Sequence, residues 1–79
     1  MTEKYIRSFT ATDPNGVARQ IDYFQTFLVF TAVGGRSRRL GTRLFKCNGI
    51  LLRRLGQGEY EMDLDGGPVR LVSKDPAAI

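Results

Sequence analysis

The chain has 79 residues, 42% of them hydrophobic, with twelve Lys/Arg against eight Asp/Glu for a formal net charge of +4. That length holds one domain, because a second would be too small to bury its own core. A single cysteine (Cys47), no histidine and no apolar run near the ~20 residues of a membrane-spanning helix exclude a disulfide framework, the usual His/Cys metal centres, a Ser–His–acid triad and a transmembrane helix.

The local pattern is β throughout. The first segment, Met1-Thr2-Glu3-Lys4, lacks the basic-then-apolar order of a secretion signal, so the chain is read as soluble and cytoplasmic with Cys47 reduced. Tyr5 to Thr12 is rich in aromatic and β-branched residues, with Tyr5, Phe9 and Ala11 on one face and Ser8, Thr10 and Thr12 on the other. Asp13-Pro14-Asn15-Gly16 is a turn, since Pro14 presets φ and Gly16 or Asn15 tolerates a positive φ. Val17 to Thr31 is a long extended stretch that first alternates, with Val17, Ile21 and Tyr23 inward. From Phe24 the register breaks, and Phe27-Leu28-Val29-Phe30 is apolar on both faces. A bulge or bend near Phe24 accounts for the break, because one extra residue sends every later side chain to the opposite face.

Gly34-Gly35 ends that strand and opens a basic loop, Arg36-Ser37-Arg38-Arg39, before extended structure resumes from Leu40 to Cys47. Asn48-Gly49 is the strongest hairpin signal in the chain, because both turn positions need φ > 0. It sets Cys47 opposite Ile50, Phe45 opposite Leu52 and Arg43 opposite Arg54, with Phe45, Cys47, Ile50 and Leu52 toward the core. Leu51 to Leu55 has an alternative as one helical turn, with Leu51 and Leu55 stacked. Gly56-Gln57-Gly58 is a corner, and Glu59 to Asp65 alternates, with Tyr60, Met62 and Leu64 inward. A turn at Gly66-Gly67 would set Asp63 against Arg70 and Glu59 against Lys74. Asp75-Pro76 ends the last strand, leaving Ala77-Ala78-Ile79 as a loose tail. Five or six short strands with turns every 8–12 residues predict an all-β fold, a small antiparallel barrel or sandwich of SH3-like or OB-like type.

Asn48-Gly49, Leu55, Gly58, Tyr60, Ser73 and Asp75-Pro76 stand in the order hairpin turn, Leu-x-x-Gly-x-Tyr, Ser-x-Asp-Pro. In this, residues 44–78 resemble the C-terminal half of small bacterial proteins of about this length that have no assigned activity. Gln57 occupies a position where that pattern usually has Lys or Arg, and Ile79 one where Pro is usual. The resemblance implies a compact all-β protein and carries no chemistry.

The residues point away from catalysis. Cys47 beside Lys46 falls on the apolar face of its hairpin, where a thiol is buried and inert. Glu59, Glu61, Asp63 and Asp65 stand about 6.6 Å apart along one strand, which reads as a solvated outer face rather than an acid–base pair or a cation site. Gly34-Gly35 is not followed by Gly-Lys-Ser/Thr and opens no helix, so it is no phosphate loop. No metal and no cofactor are expected, and the chain is not read as an enzyme.

Two binding readings compete. Tyr23 to Gly58 contains no acid but holds Arg36, Arg38, Arg39, Arg43, Lys46, Arg53 and Arg54. The middle thus carries +7, and the remainder, five basic residues against eight acids, carries −3. Such segregation makes a field that a polyanion feels, so Arg36, Arg38, Arg39, Arg43, Arg53 and Arg54 form a candidate site for nucleic acid. The second reading comes first in preference. Phe24, Phe27, Leu28, Val29 and Phe30 are more apolar surface than so small a barrel buries, which marks a protein interface, with a homodimer or another protein as partner. Basic hairpin meeting acidic strand would join two copies.

Overall fold

The computed structural model describes residues 2–79, and six strands follow one another in chain order. They are β1 (Thr2–Thr12), β2 (Ala18–Ala32), β3 (Gly35–Cys47), β4 (Ile50–Gly56), β5 (Glu59–Leu64) and β6 (Gly67–Val72). Each pairs antiparallel with the next, and a Thr12–Val72 pairing joins β1 to β6, closing a six-stranded antiparallel barrel. The expected all-β small barrel is therefore the fold.

The core is aromatic at its centre. Phe9, Ile21, Tyr23, Phe45, Leu52, Tyr60, Met62 and Leu71 are buried together with Ala11 and Cys47. Tyr23 and Phe45 stack at 5.2 Å between ring centroids, and Phe45 meets Tyr60 at 5.1 Å. Tyr23 and Phe45 are directly opposite across β2 and β3, and Tyr60 reaches Phe45 from β5, so the aromatic cluster is set by strand pairing and burial in the barrel interior.

Local turn chemistry is obeyed where it was clearest. Asn48 (φ 51°) and Gly49 (φ 80°) both take the left-handed conformation, and the pairs Phe45–Leu52 and Cys47–Ile50 follow. Asp13 organises the first turn: its carboxylate accepts the Asn15 and Val17 amides at 2.9 Å each and the Arg19 Nε at 3.0 Å.

Several expectations are corrected. Arg36 to Arg39 are not a loop: they continue β3, and the turn sits at Val33-Gly34, because Leu28 to Thr31 supply a partner strand that the basic residues pair with. Leu51 to Leu55 lie in strand β4 with no helical turn, because β3 on one side and β5 on the other engage its ends. The last hairpin turns at Asp65-Gly66, with Leu64 opposite Gly67, two residues from the expected register. A two-residue slip preserves which face each side chain takes but changes its neighbours, so Arg70 lies opposite Glu61 and Glu59 opposite Val72. Tyr5 is exposed and does not share the buried face of Phe9 and Ala11, and Val17 is exposed instead of inward, as are Ile50 and Leu64 at their hairpin ends. For Tyr5 the cause is a bulge at Ile6, where the β1–β2 register shifts.

The tail is not loose. Asp75 accepts the Thr10 and Ala77 amides, Ser73 Oγ donates to the Thr10 carbonyl oxygen at 2.5 Å, and Ala77, Ala78 and Ile79 pack against the core. The buried Tyr60 hydroxyl donates to the Ile79 carbonyl oxygen at 2.7 Å, and that need for an acceptor inside the barrel ties the tail down. Gly58 takes φ 72°, and a Cβ there would come within 2.7 Å of the Ser73 carbonyl oxygen. Gly58, Tyr60, Ser73 and Asp75 thus share one task, closing the end of the barrel.

Candidate interaction surface

β2 and β3, of 15 and 13 residues, run past β1 and β4, of 11 and 7, which flank them. Pairing of β1 with β2 reaches only to Thr2–Phe27, and pairing of β3 with β4 begins only at Phe45–Leu52. Beyond those points β2 and β3 continue as a two-stranded arm from Phe27 and Leu40 to the Val33-Gly34 turn. The molecule is accordingly elongated, 54 × 29 × 19 Å.

A built discontinuity separates arm from barrel. The β2–β3 register shifts between Gln25 and Phe27, where Thr26 faces both Gly41 and Thr42. Thr26 is buried, and its Oγ1 accepts the Thr42 amide at 2.8 Å and donates to the Thr42 carbonyl oxygen at 3.0 Å. A Cβ on residue 41 would overlap Thr26 Oγ1, so the bulge requires glycine there. The bulge expected near Phe24 is thus real but displaced, and it lies on β3 rather than β2.

The arm is amphipathic in an unusual sense: its two strands, not its two faces, differ. β2 contributes Phe27, Leu28, Val29, Phe30 and Thr31. β3 contributes Arg36, Ser37, Arg38, Arg39 and Leu40. The registers are Leu28–Arg39, Val29–Arg38, Phe30–Ser37 and Thr31–Arg36. Arg38 and Arg36 therefore share one face with Val29 and Thr31, and Arg39 shares the other with Leu28. Leu28, Val29 and Phe30 are 48%, 47% and 44% exposed, and Leu40 is 73% exposed. The Arg38 guanidinium lies 4.9 Å from the Phe27 ring centroid, which leaves its charge facing water. Phe24 sits apart at the barrel wall, half-buried, edge-on to Tyr5 and beneath Lys46.

The basic residues divide into three groups. Arg36, Arg38 and Arg39 ride on the arm. Arg43 and Arg54 line an open groove of about 560 Å³ where β3 and β4 splay, with Gln25, Gly41 and Phe45 completing its walls. They are not the opposed pair that the hairpin extension implied, because β4 leaves β3 after Leu52 to join β5. Arg54 spends its Nε–H on the Ile79 carbonyl oxygen at 3.1 Å. Arg53 is clasped by Glu61, with Asp63 at 3.9 Å.

The acidic strand is engaged within the molecule: Glu61 and Asp63 with Arg53, and Glu59 with Arg70 at 4.0 Å. Among the described residues no ion pair engages Arg36, Arg38, Arg39 or Arg43, and no cluster of His, Cys, Asp and Glu could hold a metal ion. Cys47 is buried, and that burial raises its thiol pKa, so the thiolate is disfavoured.

Sequence reading missed Leu40, Gly41 and Thr26 as part of this surface. An isolated glycine within a strand signals a bulge, so Gly41 was the available clue. Compared with known proteins, the chain shows no significant match to a family model, a curated protein or a solved structure. The resemblance of residues 44–78 to small bacterial β proteins therefore rests on the quoted residues alone.

Proposed function

We propose that this chain is a non-catalytic, cytoplasmic β-barrel module that associates with a second copy of itself, or with another protein, through the β2–β3 arm. The observation that carries the reading is the exposure of Leu28 and Phe30 on one face, and of Val29 on the other, of a ribbon that projects from a barrel already filled by other residues. Contiguous apolar side chains left in water cost about 25 cal/mol per Å², and burying them against a partner recovers that free energy. Sedimentation velocity across the micromolar range tests self-association: the wild type is expected as a dimer or larger, and a Leu28→Ser/Phe30→Ser variant as a monomer. A wild-type monomer at high micromolar concentration excludes self-association and leaves only a different protein as partner.

A second reading, binding of nucleic acid or another polyanion, is favoured by the four arginines Arg36, Arg38, Arg39 and Arg43, which no carboxylate among the described residues engages. Cations in that state exchange counterions for phosphates, with steep salt dependence. Arg53 does not belong to that surface, because Glu61 and Asp63 hold it. Elution of the wild type from a polyanion resin at the same salt as an Arg38→Glu/Arg39→Glu variant would refute the reading.

A further inference from the structure

The arm has two open edges, and they differ in kind. On the β3 edge, Arg36 to Leu44 have no strand beside them among the described residues, and four of those positions are arginine. On the β2 edge, Leu28 to Ala32 have no neighbouring strand among the described residues and include no charged residue. Open edges are usually blunted by charge, proline or a bulge. The β3 edge has the charge and the Gly41 bulge. The β2 edge has none of these.

We infer that the β2 edges of two copies pair antiparallel about a two-fold axis, making one four-stranded sheet in the order β3–β2–β2–β3. This rests on the self-association reading above and specifies its geometry. Three observations select a second copy as occupant. First, an uncharged segment can lie against itself without like charges meeting, whereas β3 against β3 would set arginines opposite arginines. Second, three of the four acids that a basic arm would otherwise seek in a second copy already lie against cations of their own molecule, Glu59 with Arg70, and Glu61 and Asp63 with Arg53, leaving only Asp65 of that run without an ion pair among the described residues. That disfavours the joining of basic hairpin to acidic strand. Third, a bare two-stranded ribbon is marginal in water, and four strands are not.

The symmetry restricts the register. An antiparallel two-fold lies along the sheet normal and keeps each side chain on its own face, so a residue meets one of the same parity. Either Val29 or Phe30 therefore sits on the axis, facing its own counterpart about 4.5–5.5 Å away between Cα atoms. The arginines remain on the two outer edges, free for any anionic ligand.

Sedimentation velocity and cysteine cross-linking on the full chain test this together. Under mild oxidation Val29→Cys or Phe30→Cys is expected to give a disulfide-linked dimer, since the on-axis separation suits the bond. Wild type, whose Cys47 is buried, and Arg39→Cys on the opposite edge are expected to give none. Phe30→Lys, placed opposite the neutral Ser37, is expected to weaken dimerisation by about tenfold or more through like charges meeting directly on the axis or diagonally beside it, while Arg38→Glu leaves it unchanged. An unchanged thermal midpoint for Phe30→Lys establishes that the barrel still folds. A dimer that Phe30→Lys does not weaken, or that cross-links at neither axis position, overturns this geometry and leaves self-association standing. A wild-type monomer overturns both.

Discussion

Thr26 and Gly41 meet so closely that no side chain fits between them, and the Thr26 hydroxyl fills that space by bonding both backbone groups of Thr42. This contact is the junction at which a closed barrel becomes an open arm. Gly41→Ala is expected to lower stability by roughly 1–3 kcal/mol, the usual cost of overpacking a tight site. In a Thr26→Ala background the same change is expected to cost less, because the clashing oxygen is gone. Urea unfolding of the four variants gives the coupling; strictly additive effects would show that the two residues do not act on each other.

One of the bonds that hold the tail comes from a buried hydroxyl. Tyr60→Phe removes the donor that meets the Ile79 carbonyl oxygen and is expected to cost about 1 kcal/mol. Hydrogen exchange should localise the effect: the Gly58 amide, which donates to that same oxygen at 3.2 Å, loses protection, while amides of the β2–β3 arm do not change. Uniform loss of protection would argue against a local tether.

Acid should weaken the fold through three aspartates. Asp13 is held below the ordinary carboxylate pKa by the Val17 amide first, and also by Arg19 and the Asn15 amide. Asp22 is lowered by Gln20 and Ser8, and Asp75 by the Ala77 and Thr10 amides. A carboxyl whose folded pKa is depressed stabilises the protein above its unfolded value, about 3.9, and loses that contribution as pH falls through the folded value. Thermal midpoints are therefore expected to be flat between about pH 5 and pH 8 and to fall below about pH 4. Asp13→Asn should flatten the fall, and an identical acid slope in that variant would remove Asp13 from the account.

Cys47 is enclosed by the core, and its burial disfavours the reactive thiolate. A thiol reagent is expected to label it only in molecules that have opened, so labelling should track urea unfolding. Rapid labelling of the native protein would mean that this end of the core is not packed as described.

Short-range signals were legible wherever a backbone conformation demands a particular residue. Asn48-Gly49 announced its hairpin and register because few other pairs accept positive φ twice. Tyr60 and Met62 announced the inner face of β5 through strict alternation. The two-residue slip at Asp65-Gly66 escaped detection, since both registers keep the same faces and only cross-strand neighbours tell them apart. The exposed apolar run at Leu28 to Phe30 was visible as an excess over what the barrel can bury, but its shape was not.

The chain alone determined the all-β class, most turns and much of the core, because these follow from φ preferences and a period of two within a few residues. Tertiary pairing decided that Arg36 to Arg39 form a strand, since arginine is extended or looped according to what lies beside it, and Leu28 to Thr31 lie beside it. It also decided which cations stay unpaired among the described residues: Arg53 reaches Glu61 across a strand pair, while Arg36, Arg38 and Arg39 are carried out on the arm away from the acidic strand β5. Charge counts along a chain cannot register that difference, because screening and ion pairing depend on distance in space.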